Sequence, residues 1–314
     1  MENFDWRARL RAGVVIPAHP LVLTKERKLD EERQSRLTRY YVDSGAGGVA
    51  VGVHTTQFAI REHGLFEPVL ALAAAKAAGV IKIAGAFDVK EAAVAARLGY
   101  HAALVIPRRG ESPDDLLARA RHVGEVLPLI GFYLQPAVGG CVLNREFWAR
   151  FAAMECVVGI KVAPFDRYRT IDVLDGVIDS GRAGEIALYS GNDDHIVLDL
   201  MTSYRGLRFV GGLLGQWAVW TRNAVKMLGS IQENPTAPKL LKLAGELTAA
   251  NAAIFDVENG FRGCIAGVHE VLRRQGLMEG IWCLDPHEGL SPGQAEEIDR
   301  VYAMFPHLAD HSAG

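Results

Sequence analysis

The chain has little of what several function classes require. Its four cysteines, Cys141, Cys156, Cys264 and Cys283, are scattered with neither a CxxC pair nor Cys/His ligand spacing. That excludes a disulfide framework or a structural metal ribbon and points to reduced thiols in the cytoplasm. No long basic run and no stripe of interleaved aromatics and arginines is present, and the formal net charge is −3. Nucleic acid is therefore not an expected partner. The opening stretch MENFDWRARLRAG holds no apolar segment of signal-peptide or membrane-span length, so no membrane association is expected. No GxGxxG follows the first apolar run, which removes the dinucleotide-binding fingerprint.

What is present is an alternation. Apolar runs of strand length fall at 12–19, 47–54, 80–87, 101–107, 128–135, 157–164, 185–192 and 206–214. They are continuously apolar, as parallel strands covered on both faces should be. Between them lie amphipathic segments with helical punctuation. DEERQSRLTRYYVDSG carries acidic residues in its first turn and glycine past its end, matching the helix dipole and a left-handed cap. SPDDLLARARHVGEV offers Ser112 as N-cap and Pro113 at the first helical position, and NREFWARFAAM begins at a capping Asn144,. Eight such units predict an α/β fold that closes into a (β/α)8 barrel, a TIM barrel, with a doubly wound sheet as the runner-up. Residues 235–304 carry only helical patterns after the junction QENPTAP. The expected organisation is a barrel over 1–230 and additional C-terminal helices over 231–314, packed on it.

In a barrel the chemistry sits at the carboxyl ends of the strands. The polar residues there are His19 after the first run and His54, Thr55, Thr56 and Gln57 after the second. Arg108 and Arg109 follow the fourth, and Tyr133, Gln135 and Pro136 lie on or after the fifth. Lys161 lies in the sixth, Ser190, Gly191 and Asn192 end the seventh, and the glycines of VGGLLGQ, Gly211 among them, belong to the eighth. Lys161 is conspicuous because VVGIKVAPF is otherwise apolar. Either its stem is buried and its charge snorkels out, or burial lowers its pKa and leaves a neutral nucleophile. A neutral amine attacks a ketone to form an imine. A phenol such as Tyr133 can relay the protons, and hydroxyls and N–H groups at Thr55 and Thr56 can hold the carboxylate of a 2-oxo acid. Each has a plainer reading: Tyr133 as a core ring, the threonines as strand-end caps, the arginines as a solvated loop, and His19 and His54 as packed imidazoles.

The sequence resembles the dihydrodipicolinate synthase / N-acetylneuraminate lyase family of Schiff-base-forming barrels over nearly its whole length. Gly159-Ile160-Lys161 is similar to that family's lysine-bearing strand, and Tyr133 to Pro136 to its tyrosine-x-x-proline. KLDEERQSRLTRYYVDSGAGGVAVGV resembles its first helix and second strand, and YSGNDD its serine-glycine-aspartate turn. The resemblance implies Lys161 as nucleophile and Tyr133 as proton shuttle. Thr55, Thr56, Gly191 and Gly211 would bind substrate, with His54, Gln57, Arg108, Arg109 and Ser190 as further candidates. It also implies a homo-oligomer, a dimer of dimers. Four departures stand out. The family's Gly-Thr-Thr-Gly-Glu is here HTTQF, and Val138 replaces an arginine after the proline. PRRGESPDD replaces a cross-interface tyrosine, and VAPFDRYRT follows the lysine.

The expectation is a class I lyase or aldolase acting on pyruvate or another 2-oxo acid, with an aldehyde as second partner. It needs no metal or organic cofactor, because the imine is itself the electron sink. The alternatives are an authentic dihydrodipicolinate synthase, a sugar-acid dehydratase, and a catalytically silent barrel that binds a small acid.

Overall fold

The computed structural model describes residues 4–310. Eight parallel strands form one nearly closed barrel: β1 (Val15–Pro17), β2 (Gly48–Val51), β3 (Ile81–Ala86), β4 (Ala102–Val105), β5 (Leu129–Leu134), β6 (Val157–Ala163), β7 (Ala187–Ser190) and β8 (Gly211–Leu214). Each neighbour follows its predecessor in sequence, and β8 pairs with β1. The seam between β1 and β2 is the thinnest. There the His19 N–H donates to the Ala50 carbonyl at 2.8 Å, and the Gly47 N–H donates to Val15 at 3.0 Å.

Helix α1 (Trp6–Ala12) precedes the first strand, and after the successive strands come α2 (Glu31–Asp43), α3 (Phe66–Lys76), α4 (Val89–Arg97), α5 (Pro113–Gly124), α6 (Arg145–Ala152), α7 (Arg167–Asp179), α8 (Ile196–Met201) and α9 (Thr221–Glu233). The capping residues read from sequence do that work. Ser112 Oγ accepts from the Asp115 N–H at 3.1 Å, and Asn144 Oδ1 accepts from Phe147 at 2.9 Å. Two apolar layers result. Ile16, Ala50, Ile83, Leu104, Ile130 and Leu213 fill the barrel interior, while the opposite strand faces pack under the helices. The amino end of the barrel is plugged by α1: Leu10 is buried, and its carbonyl accepts from the Tyr189 hydroxyl at 2.8 Å.

The eighth strand is shorter than its apolar run. Arg205 and Gly206 both take positive φ, 50° and 86°. Two such residues in a row make the tight turn of a hairpin, and Ser203–Tyr204 accordingly pair antiparallel with Leu207–Arg208. Only Gly211–Leu214 joins the barrel.

Three more helices, α10 (Pro238–Ile254), α11 (Cys264–Arg274) and α12 (Gln294–Met304), follow. They lie on the carboxyl end of the barrel. Asn251 Nδ2 on α10 donates to the Asp193 carbonyl at 2.6 Å, and Thr248 donates to the Asp194 carbonyl at 2.8 Å. Gln57, held at φ 64°, accepts from the Leu284 N–H at 2.6 Å and ties the later chain to the β2 loop. Among the described residues no helix is long and apolar enough to cross a membrane.

Gly211 belongs to the plugged end, since a methyl there would come within 2.4 Å of the Val14 carbonyl oxygen. Gly211→Ala is expected to lower stability by about 1–3 kcal/mol, read as a falling urea midpoint. Gly184→Ala, where nothing lies within 4 Å, should leave the midpoint in place. Equal midpoints for the two variants would contradict this packing.

Candidate active site

Lys161 points into the barrel near its carboxyl end and is 6% exposed. Its Nζ lies 4.3 Å from the centroid of the Phe132 ring, and no carboxylate among the described residues pairs with it. Burial pushes the amine down to about 8, and the charge of Asp193 limits the fall. An ammonium held among rings and alkyl groups without a counter-ion favours its neutral form. Gly191 makes the lane for its stem: a methyl at that position would sit 2.7 Å from Lys161 Cε.

Asp193 stands in the turn after β7, within the YSGNDD stretch, yet no sequence pattern singles it out. Its carboxylate accepts from the Gln216 N–H at 3.1 Å. Burial pushes its pKa up to about 7, against the pull of that hydrogen bond and of Lys161. The cleft therefore holds an amine that gives up its proton easily and a carboxyl that keeps its own.

The two threonines do not serve as expected. Residues His54–Thr56 form a single 3-10 turn. Thr55 Oγ1 donates to the Ala18 carbonyl at 2.7 Å, and Thr56 Oγ1 donates to His19 at 2.6 Å while accepting from Gly52 and Val53. Both hydroxyl protons are spent stitching β1 to the β2 loop. The Thr56 N–H is also engaged, by Val53. What faces the cleft from this turn is His54 and Thr55, whose backbone N–H groups donate to no carbonyl among the described residues. Burial, with Lys161 nearby, lowers His54 to about 4, so its imidazole is neutral.

Tyr133 is not in the cleft, which corrects the expected proton shuttle. Phe132, not Tyr133, is in register with Lys161, and Tyr133 is opposite Val162. Leu129 pairs with Val157 but Ile130 pairs with Gly159, so the ladder skips Val158. Without that skip Tyr133 would sit beside Lys161, because a one-residue shift exchanges the two faces of a strand. The ring instead packs 5.4 Å from Trp148 under the helices, and its hydroxyl accepts from the Leu143 N–H at 3.2 Å.

Other candidates also lie outside the cleft. Ser190 donates to Asp199 at 2.7 Å and accepts from Asn192, shaping the turn from behind. Gln57 is the tether to Leu284, and Gly211 is at the far end of its strand. Arg108 donates to the Phe87 carbonyl at 3.1 Å, and Arg109 is exposed; neither reaches the cleft. His19 is buried between Pro20 and Thr38. Of the substrate-binding set, Thr55 and Gly191 line the cleft with Lys161.

Sequence reading missed the roof. Phe255, Phe261 and Cys264 come from the C-terminal segment, and Phe165 from the loop after β6. The Phe165 and Phe261 rings meet at 5.7 Å, and both residues take positive φ, 53° and 67°. A large side chain in that conformation is uncommon and persists where tertiary contacts hold it. For Phe165 the holder is Asn192, whose Oδ1 accepts its N–H at 3.1 Å. Burial raises the Cys264 thiol above its ordinary value, so it is protonated.

No curated protein sequence matches the chain. Solved structures do match in fold. YagE, a prophage protein of the dihydrodipicolinic acid synthase family from E. coli K12, solved with pyruvate, superposes with a TM-score of 0.79 at 17% identity, covering 94% of this chain and 97% of that one. CdNal from Clostridium difficile, solved with mannosamine, gives 0.76 at 16% identity, covering 93% and 99%. A monomeric dihydrodipicolinate synthase variant gives 0.76 at 19% identity, covering 94% and 97%. The sequence model of the dihydrodipicolinate synthetase family matches residues 12–300. With its lysine-bearing sixth strand inside a barrel of that shape, the chain belongs to the dihydrodipicolinate synthetase family.

Proposed function

We propose that this chain is a lyase that forms an imine between Lys161 and a small 2-oxo acid such as pyruvate. The observation that carries this is the buried, unpaired amine, pushed down to about 8 in an apolar cleft. The substrate carboxylate would lie on the free N–H groups of His54 and Thr55, an anion nest at the start of a 3-10 turn. Neutral Lys161 adds to the C2 carbonyl and gives a carbinolamine. Its hydroxyl leaves as water when a proton is delivered to it, and the C2=N bond forms. Asp193, pushed up to about 7, is the acid in reach for that delivery; Tyr133 takes no part. Loss of a C3 proton gives the enamine, which attacks an aldehyde, or the reverse sequence releases one. No metal or organic cofactor enters this scheme.

The acceptor side of the cleft narrows the partner. Leu134, Val138, Phe165 and Phe261 line it, and Val138 stands where the family's synthases carry a carboxylate-gripping arginine. An aldehyde with a hydrocarbon substituent fits these walls better than an acidic semialdehyde or a polyhydroxylated sugar acid, whose polar groups would go unpaired. A cytoplasmic location and a dimer of dimers complete the reading. The monomeric variant among its structural relatives means that assembly is a question for light scattering.

Incubation with pyruvate and borohydride should add the mass of one reduced pyruvate, and Lys161→Ala should add none. Failure of every 2-oxo acid in a panel to leave an adduct on the intact chain would sink the imine and leave a silent acid-binding barrel. The trapping rate needs a neutral amine, favoured above about 8, and a protonated Asp193, favoured below about 7. Its pH profile should therefore be bell-shaped, rising as the amine loses its proton and falling as Asp193 loses its own. Asp193→Asn should slow trapping by about 100-fold and abolish the alkaline fall. It should also move the rising limb to lower pH, because the aspartate charge that props up the lysine is gone. A profile unchanged by Asp193→Asn would remove the residue from the mechanism. Tyr133→Phe should keep the trapping rate and cost only about 1 kcal/mol of stability; a large loss of trapping would restore the phenol to the site.

A further inference from the structure

One polar side chain in the Lys161 cleft takes no part in imine formation. Gln135 follows the last residue of β5, and Leu134 before it is in register with Ala163, beyond Lys161 on the way to the mouth. Leu134 and Val138 line the acceptor side of the cleft, and Gln135 lines it with them. Gln135 is 8% exposed. Its side-chain amide bonds no other residue among those described, and, unlike Gln57 Nε2 and Gln216 Oε1, neither of its ends is shut inside the protein. A buried amide without a partner is costly, and the partner left for this one is whatever occupies the cleft.

The backbone fixes its place. The Gln135 carbonyl accepts from the Val138 and Gly140 N–H groups at 3.3 and 3.0 Å, closing the turn Pro136–Val138. Gly139 takes φ 98°, and a methyl on Gly140 would lie 1.8 Å from the Leu134 carbonyl oxygen, so the chain doubles back tightly here. The rest of the acceptor wall, Leu134, Val138, Phe165 and Phe261, offers no side-chain donor. The Thr55 hydroxyl proton is given to Ala18, and His54 stands after β2, across the barrel from β6.

We propose that the Gln135 amide is a catalytic electrophile: its N–H donates to the aldehyde oxygen and stabilises the alkoxide that forms there. The proposal rests on imine formation at Lys161. As C3 of the enamine bonds to the aldehyde carbon, the nitrogen lone pair forms the C=N bond of an iminium, and the C=O π pair moves to the oxygen. That alkoxide takes a proton from Asp193, whose carboxyl was restored by the proton leaving C3. A hydrocarbon aldehyde has one polar atom, and the acceptor wall has one unpartnered amide to meet it. A fixed donor aimed at developing charge needs no reorganisation when the bond forms.

Two measurements on the full chain separate the halves of the reaction. Exchange of the pyruvate methyl protons in deuterium oxide requires the imine and the enamine but no aldehyde. Addition is followed as consumption of acetaldehyde, butyraldehyde or benzaldehyde at saturating pyruvate. Gln135→Met keeps an unbranched side chain and loses the N–H. It should add aldehyde about 100-fold more slowly, while exchange and borohydride trapping keep the wild-type rate. Retained trapping also shows that the variant is folded. Addition by Gln135→Met at the wild-type rate overturns the proposal. So does an equal fall in exchange and addition, which marks a packing role, and so does a wild type that exchanges pyruvate but consumes none of the three aldehydes. A wild type that neither exchanges nor traps pyruvate removes the Lys161 imine itself, and the role of the amide with it.

Discussion

The site depends on leaving one ammonium group dry and unpaired. Burial lowers the Lys161 amine well below the ordinary lysine range and so favours its neutral form. A flexible site would lose that bias by letting the stem swing toward water or a carboxylate. Here two walls confine it. The stem runs along Gly191, where a methyl would lie 2.7 Å from its Cε, and the head faces the Phe132 ring. Strands paired on both sides of β6 keep those walls fixed.

Asp193 completes the electrostatics without neutralising the amine. It is near enough to raise the lysine and be lowered by it, yet is anchored to the Gln216 N–H and, through its carbonyl, to Asn251 on α10. Its position is thus set by β8 and by a helix outside the barrel. The C-terminal helices do more than cover apolar surface: they fix a carboxyl and supply Phe255, Phe261 and Cys264 to the roof.

A single skipped residue in the ladder decides which aromatic ring meets the amine. The YLQP stretch matches the family pattern in letters, but register, not spelling, sets the face of a strand. At Val158 the β5–β6 pairing slips, and Phe132 takes the inner position while Tyr133 moves under α6. The titratable groups that line the cleft are His54, Lys161, Asp193 and Cys264. The threonine pair shows the same gap between type and role, since its hydroxyls hold the seam of the barrel instead of facing a ligand.

Read alone, the sequence determined the eight parallel strands, most of their helices, the caps at Ser112 and Asn144, and a lysine buried in the sixth strand. These follow from local apolar periodicity and from side chains that act within a few residues of themselves. It overran the eighth strand, because the positive φ at Arg205 that opens a hairpin has no signature in an arginine. Only the tertiary structure decided which groups the lysine meets. The slip at Val158, the return of Phe261 and Cys264 over the mouth, and the partnering of Asp193 with Gln216 are contacts between distant segments. Their geometry is the sum of many packing choices and is written in no single stretch of chain.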